Sequence, residues 1–191
     1  MRLILASSSP YRRELLARLQ IPFETIAPDI DERPHPGETP PALVERLAVE
    51  KARKIAAAHA DALVIGSDQV AVYNGTIVGK PLTHERAVAQ LHEASGRSVT
   101  LYTGLALVNG ATGATQVDVL PFHIRFRALT DSQIESYLRK EQPYHCAGSV
   151  KSEGLGIALL EKFDGEDPNT LIGLPLIRLV RMLEQEGVSI L

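Results

Sequence analysis

Only one cysteine, Cys146, occurs among the 191 residues. That excludes an intramolecular disulfide and points to a reducing compartment, the cytoplasm. No apolar run is long enough to cross a bilayer. The N-terminal Met1-Arg2-Leu3-Ile4-Leu5-Ala6 stops at Ser7-Ser8-Ser9-Pro10, too early for a signal-peptide core, so no membrane partner is expected. An excess of positive charge is missing as well. Lys and Arg number 20 against 23 Asp and Glu, a net charge of −3, which gives no overall basic field for a nucleic acid polymer. The six histidines lack the H-x-x-x-H or Cys/His spacing of a zinc site. Nor is there a long linker, a repeat or a low-complexity tract. What is present is an ordinary globular balance, 45% hydrophobic and 23% charged. The length suits a single domain over residues 1–191, or two small lobes sharing a core.

Strand and helix patterns alternate along the chain. Leu3 to Ala6 reads as a short buried strand. Ser9 as N-cap and Pro10 at the first helical position open a helix that carries Leu15, Leu16 and Leu19 on one face. Residues 28–41 are rich in proline and acid and read as a loop, followed by a helix from about Ala42 to Ala58. Ala62 to Ser67 is a buried strand. Val70 to Tyr73 and Thr76 to Val78 flank Asn74-Gly75, a strong hairpin signal. Residues 84–93 make a short helix, and Val99 to Val108 and Thr115 to Phe126 make two long strands. In the second of these, apolar positions 117 and 119 change phase to 122, 124 and 126 across Pro121, which predicts a bulge or bend. Helices near 130–140 and 175–186 flank a glycine-rich stretch, 148–156. The class is α/β with a mixed sheet.

Five segments carry candidate chemistry. In Ser7-Ser8-Ser9-Pro10-Tyr11-Arg12-Arg13, arginines in the first turn oppose the helix dipole, and Arg12 lies in line with Leu15, Leu16 and Leu19. Serine hydroxyls, free N–H groups and an inward guanidinium would receive a phosphate; a basic surface helix start is the plainer reading. Lys51 shares a helical face with Leu47 and Ile55, and it either snorkels past the core edge or reaches into a cleft. Its neighbours Arg46, Glu50, Arg53 and Lys54 read as a solvated face. Asp68 in Gly66-Ser67-Asp68-Gln69 follows a buried run and is expected at a strand end, where α/β sheets collect ligands. Counting back from the Asn74-Gly75 turn sets Gln69 opposite Lys80 and makes Asp68 and Lys80 neighbours, either a site or an edge salt bridge. The loop Gly148 to Gly156 lacks P-loop spacing and alone reads as a flexible loop. Cys146 reads as a small packing residue. In the acidic loop, Asp29, Asp31 and Glu32 are solvated acids or hard ligands of the kind Mg²⁺ or Mn²⁺ takes.

In this order the segments resemble the Maf family of nucleoside triphosphate pyrophosphatases. The matching pieces are Leu5 to Arg13, Asp31-Glu32, Glu50-Lys51-Ala52, Gly66-Ser67-Asp68-Gln69, Gly79-Lys80-Pro81, Ala147-Gly148 to Gly156 and Gly173-Leu174-Pro175. The resemblance implies a Maf-like, elongated α/β fold with flanking helices, two lobes around a central cleft, and a homodimer. It implies hydrolysis of a nucleoside triphosphate to monophosphate and pyrophosphate with a divalent metal cation, Mg or Mn. By position, Ser7, Arg12, Lys51 and Lys80 correspond to phosphate-binding residues, Glu32 and Asp68 to metal-site acids, and Asp68 to the proton acceptor.

The resemblance also reaches the base. Members that act on dTTP and UTP carry Arg, Thr and Gln where this chain has Tyr11, Gln69 and Glu153, and the chain looks like the 7-methyl-GTP branch. Methylation at N7 makes guanine cationic, suited to stacking on the Tyr11 ring. The Glu153 carboxylate would accept hydrogen bonds from guanine N1–H and its amine. The alternatives are a dTTP/UTP or general non-standard nucleotide pyrophosphatase, or a non-catalytic nucleotide-binding regulator of cell division.

Overall fold

Side-chain caps decide where four of the helices begin. Ser9, Thr39, Thr83 and Thr130 sit in extended backbone, and each side chain accepts a hydrogen bond from the N–H three residues on. Gln133 completes the last of these as a capping box by accepting from the Thr130 N–H at 2.9 Å. Prolines fill the first turn of two helices, where a missing N–H costs nothing.

The computed structural model describes residues 2–191. Its elements are β1 (Arg2–Ala6), α1 (Pro10–Ala17), β2 (Glu24–Thr25), α2 (Pro40–Ala56), β3 (Ala62–Tyr73), β4 (Thr76–Val78) and α3 (His84–Ala94). β5 (Ser98–Asn109), β6 (Thr115–Phe126), α4 (Asp131–Glu141), β7 (Leu160–Asp164), α5 (Asn169–Ile172) and α6 (Leu176–Gln185) follow. The strands form one seven-stranded mixed sheet in the order β2-β1-β3-β5-β6-β7, with β4 paired to β3. β1 runs parallel to both β2 and β3, while the β3–β4 and β6–β7 pairs are antiparallel. The fold is α/β, as the alternation of patterns indicated.

The chain divides into two compact units. The first contains the described residues up to Gln69, together with Thr103–Leu120 and Asp167–Leu191. β1, the first half of β3 and the second half of β5 are buried on both faces, which is why they read as unbroken apolar runs rather than alternating ones. Odd-numbered Leu3, Leu5, Leu63, Ile65, Leu105 and Leu107 join Leu15 and Leu16 of α1 and Leu179, Met182 and Leu183 of α6 in one core. Even-numbered Ile4, Ala6, Ala62, Val64, Ala106 and Val108 join Ala48, Ala52, Ile55 and Ala56 of α2 in the other. A period of two on the sheet thus sorts side chains between two helical layers.

Two glycines set the spacing of α2 from the sheet. A Cβ on Gly66 would lie 2.0 Å from the Ala48 carbonyl oxygen, and one on Gly104 would lie 2.1 Å from that of Val44. The backbone of α2 therefore rests directly on β3 and β5.

The second unit comprises Val70–Tyr102 and Pro121–Glu166. Its hairpin has Tyr73 opposite Thr76, Val72 opposite Ile77 and Ala71 opposite Val78. Asn74 and Gly75 take φ of 48° and 80°, the pair of positive values a tight two-residue turn requires. α3 packs on α4, and Leu91, Ile134 and Leu138 from these helices are fully buried, as are Phe122, Ile124 and Phe126 of β6, or nearly so.

Three readings from sequence are corrected. Asp68 does not end a strand, because β3 continues for 12 residues to Tyr73; the buried strand and the first hairpin strand are one element. Its parallel neighbour β1 does stop, at Ala6 opposite Gly66, so Asp68 lies just past the carboxyl end of β1. No change of phase occurs at Pro121 either. Leu120, Phe122, Ile124 and Phe126 all face inward, whereas Val117 is 38% exposed. Apolar residues at 117 and 119 mimicked a second inward face. The proline is exposed and precedes the ladder to β7, which starts at His123, so it costs that ladder no N–H. Finally, residues 148–156 are not a slack loop: they carry parts of two 3-10 turns, Ala147–Ser149 and Leu155–Leu159, held by contacts described below.

Gly66→Ala is expected to force α2 off β3. Overpacking of this kind costs about 1–3 kcal/mol, and each kcal/mol lowers Tm by about 2–4 °C at this chain length. Thermal unfolding followed by circular dichroism checks it; an unchanged Tm would contradict the direct contact of α2 with the strand.

Candidate active site

The close approach of α2 to β3 brings Lys51, three residues after Ala48, over Asp68, two residues after Gly66. The Lys51 ammonium donates to Asp68 Oδ1 at 2.6 Å and lies 2.8 Å from Glu32 Oε1. Its side chain is only 6% exposed, so it does not snorkel into solvent but turns inward to two carboxylates. Asp68 is buried with it, at 12% side-chain exposure, while Glu32 sits at the rim with 59%.

Glu32 reaches this position because the acidic loop is clamped from α2. Arg46 donates to both carboxylate oxygens of Glu38, at 2.6 and 2.8 Å, and to the Arg33 carbonyl at 3.1 Å, and it also pairs with Glu50. Arg46 is therefore not part of a solvated face, as its neighbours in sequence suggested. Its contacts hold the Glu38 carboxyl at about 2, well below the ordinary value. Of the other acids in the loop, Asp31 is taken up by Arg33 at 2.6 Å, which likewise holds its carboxyl at about 2. Asp31 is thus paired within the loop, and Glu32 is the acid of this loop that faces Lys51.

Arg12 comes from the other layer. Its Nε donates to the Gly173 carbonyl at 2.8 Å, and the same oxygen accepts from the Ser67 hydroxyl at 2.9 Å. Its terminal nitrogens make no hydrogen bond among the described residues. Protein crowded around the guanidinium pulls its pKa down from the ordinary value, while the charges of Asp68 and Glu32 pull it up. This couples Arg12 to the same two acids that Lys51 holds. Gly173 has φ of +117°, a backbone conformation that side-chain-bearing residues rarely adopt. Buried Ser7 accepts from the Ser9 N–H at 3.1 Å, shaping the turn that leads into α1. Tyr11, half-buried, is the residue before Arg12 on that helix. Gln69 is spent on structure through its amide nitrogen, which donates to Thr103 Oγ1 at 2.9 Å and to the Thr170 carbonyl at 2.7 Å.

The donor chemistry fits a hard divalent cation. Asp68 and Glu32 offer carboxylate oxygens to one point, now held by an ammonium. Two carboxylates with the remaining positions left to water or phosphate are what Mg²⁺ and Mn²⁺ accept.

A family model described as Maf-like protein matches residues 2–186. The chain belongs to the Maf family. It is 61% identical over 189 residues to a protein of Nitrosococcus oceani named 7-methyl-GTP pyrophosphatase, covering 99% of this chain and 95% of that one. It is 58% identical over 189 residues to a protein of the same name from Methylobacillus flagellatus, covering 99% and 98%.

In this Maf chain Ser7, Arg12, Glu32, Lys51 and Asp68 all belong to the first unit. Lys80 and Glu153 belong to the second, and both are exposed. The hairpin ladder stops at Ala71 opposite Val78, two pairs short of Gln69 and Lys80, so strand pairing does not make Lys80 the neighbour of Asp68 that the register suggested. Around Glu153 the backbone is pinned at several points. Tyr73 and Tyr137 hydroxyls donate to the carbonyls of Gly148 and Ser149, at 2.7 and 3.1 Å. Glu141 accepts from the Leu155 N–H at 2.6 Å and pairs with Lys151 at 2.9 Å. A Cβ on Gly154 would strike the Glu141 carboxylate at 2.6 Å. Burial raises both tyrosine pKa values, keeping the hydroxyls protonated as donors. Cys146 is half-buried just before this stretch. Gly173, Ser67, Arg46 and Glu141 escaped sequence reasoning as site-shaping residues; Ser67 and Gly173 had left a signal, in the strings Gly66-Ser67-Asp68-Gln69 and Gly173-Leu174-Pro175.

The Arg46–Glu38 clamp has a pH signature. A carboxyl depressed from 4.5 to about 2 contributes stability that is present above 4.5 and lost as pH falls toward 2. The stability gap between wild type and Glu38→Gln should therefore be largest above pH 4.5 and narrow on acidification. Urea unfolding at stepped pH measures it, and a gap constant with pH would assign the loss to packing instead.

Proposed function

We propose that this chain hydrolyses 7-methyl-GTP to 7-methyl-GMP and pyrophosphate, as a cytoplasmic homodimer acting with Mg²⁺ or Mn²⁺. The observation that carries the chemistry is the buried Lys51 between Asp68 and Glu32, with the Arg12 guanidinium within electrostatic reach of both acids. The names of two nearly full-length relatives carry the substrate. No helix among the described residues is long and apolar enough to cross a membrane.

In this reading Arg12 and Lys51 bind phosphate oxygens, and Lys80 adds a third cation. Ser7 and the start of α1 add polar contacts at the same end of β1. A divalent cation held by Asp68 and Glu32 would supply further charge neutralisation of the triphosphate. Fixed cations aimed at developing phosphate charge are the main source of rate in such a site. Asp68 takes the proton of the attacking water. The new P–O bond forms from that water as the bridging P–O bond between the α- and β-phosphates breaks, and pyrophosphate leaves. Tyr11 stacks on the cationic base, and Glu153 accepts from guanine N1–H and the exocyclic amine. The pinned backbone of residues 148–156 supports that role, since a reader of base edges needs a fixed frame.

Pyrophosphate release across a triphosphate panel tests the reading. The expected order of kcat/KM is 7-methyl-GTP above GTP, with dTTP and UTP far behind; a preference for dTTP or UTP would overturn the substrate assignment. Asp68→Asn should lower kcat by about 10²–10⁴-fold while nucleotide still binds, and a near-normal kcat would remove it as base. Lys80→Ala should impair every triphosphate alike. Glu153→Gln should blunt the ranking more than Tyr11→Phe, which keeps the ring.

A further inference from the structure

Within the first unit, four charges sum to zero: Arg12 and Lys51 against Asp68 and Glu32. Lys51 Nζ stands at 2.6 Å from one carboxylate and 2.8 Å from the other, which is where a cation shared by both would be drawn. We infer that in the nucleotide-free protein Lys51 fills the cation seat of Asp68 and Glu32, keeping it closed to a divalent ion until triphosphate oxygens draw the ammonium away. This rests on the pyrophosphatase reading and adds an order of events to it.

The argument is one of charge and burial. For a bare dication to take both carboxylates, Lys51 must give up two ion pairs. Its side chain is 6% exposed, so the displaced ammonium has little water to turn to. It would also be left in the positive field of the dication and of Arg12, with no acceptor. A triphosphate changes that balance: it is a tetra-anion that offers oxygens to Lys51 and to the unpaired terminal nitrogens of Arg12. Lys51 can then exchange carboxylate for phosphate without losing a partner, and Asp68 and Glu32 are left for the dication. The same exchange frees Asp68 to accept a proton, so the base is masked until substrate is in place. The site thereby avoids holding metal and an exposed base over water alone.

Mn²⁺ binding to the nucleotide-free, full-length protein tests this, read as free Mn²⁺ by electron paramagnetic resonance. Lys51→Met, which keeps the straight apolar stem, should bind Mn²⁺ at least tenfold more tightly than wild type although its hydrolysis is impaired. Adding Glu32→Gln to Lys51→Met should abolish the gain, which locates the bound ion at this seat. Equal or weaker Mn²⁺ binding by Lys51→Met would overturn the inference, as would a gain that survives Glu32→Gln. If Lys51→Met does not fold by circular dichroism, Lys51→Gln carries the same comparison. Wild-type pyrophosphate release from 7-methyl-GTP is measured alongside. Its absence would defeat the functional reading, whereas activity without the gain in Mn²⁺ affinity would defeat this inference alone.

Discussion

An ammonium taken out of water must have its charge met, and much of the first unit follows from meeting that of Lys51. Breaking a buried pair by removing one partner costs about 3–5 kcal/mol, so Asp68, at 12% exposure, is held as firmly by Lys51 as Lys51 is by Asp68. Glu32, at 59% exposure, contributes little to stability by its pairing. Its place is fixed instead by the Arg46 clamp on the loop. The pair can exist only because α2 lies on the bare backbone of Gly66 and Gly104. Helix spacing, burial of the lysine and alignment of the carboxylates are one constraint seen at three levels.

The second unit answers a different requirement, the shape of a loop. Residues 148–156 have little apolar side chain to bury, yet tyrosine hydroxyls from β3 and α4 and the Glu141 carboxylate take up their backbone groups. Polar atoms in a buried setting are costly unless paired, so this pairing fixes the loop where hydrophobic packing cannot. The two units thus hold their chemical groups by contrasting means, a charge cluster under a helix and a hydrogen-bonded strap.

Much of this was legible in the sequence. The cap at Ser9, the proline after it and the Asn74-Gly75 turn are local signals with local causes, and α1 and the hairpin fell where those signals put them. The two-layer core of the first unit showed as unbroken apolar runs. What misled was any feature whose meaning depends on a distant partner. Val117 and Val119 looked inward because they are apolar, and only the position of α6 shows that their even-numbered neighbours face it. Arg46 looked solvated because nothing nearby in sequence reveals Glu38 folding back over it. Lys51 remained ambiguous between surface and cleft until Gly66, 15 residues on, set the depth of the helix. Lys80 was placed by extending a ladder past the point where it stops.

The carbonyl of Gly173 has a bearing on how the molecule is made. It orients Arg12 across 161 residues of sequence and Ser67 across 106. Contacts of such separation close late in folding, because the chain entropy of a long loop must be met before they can form. On a ribosome-bound chain the Arg12 guanidinium has nothing to anchor its Nε until residue 173 has emerged. The Arg12 side chain therefore takes its final orientation only when nearly the whole chain has been made.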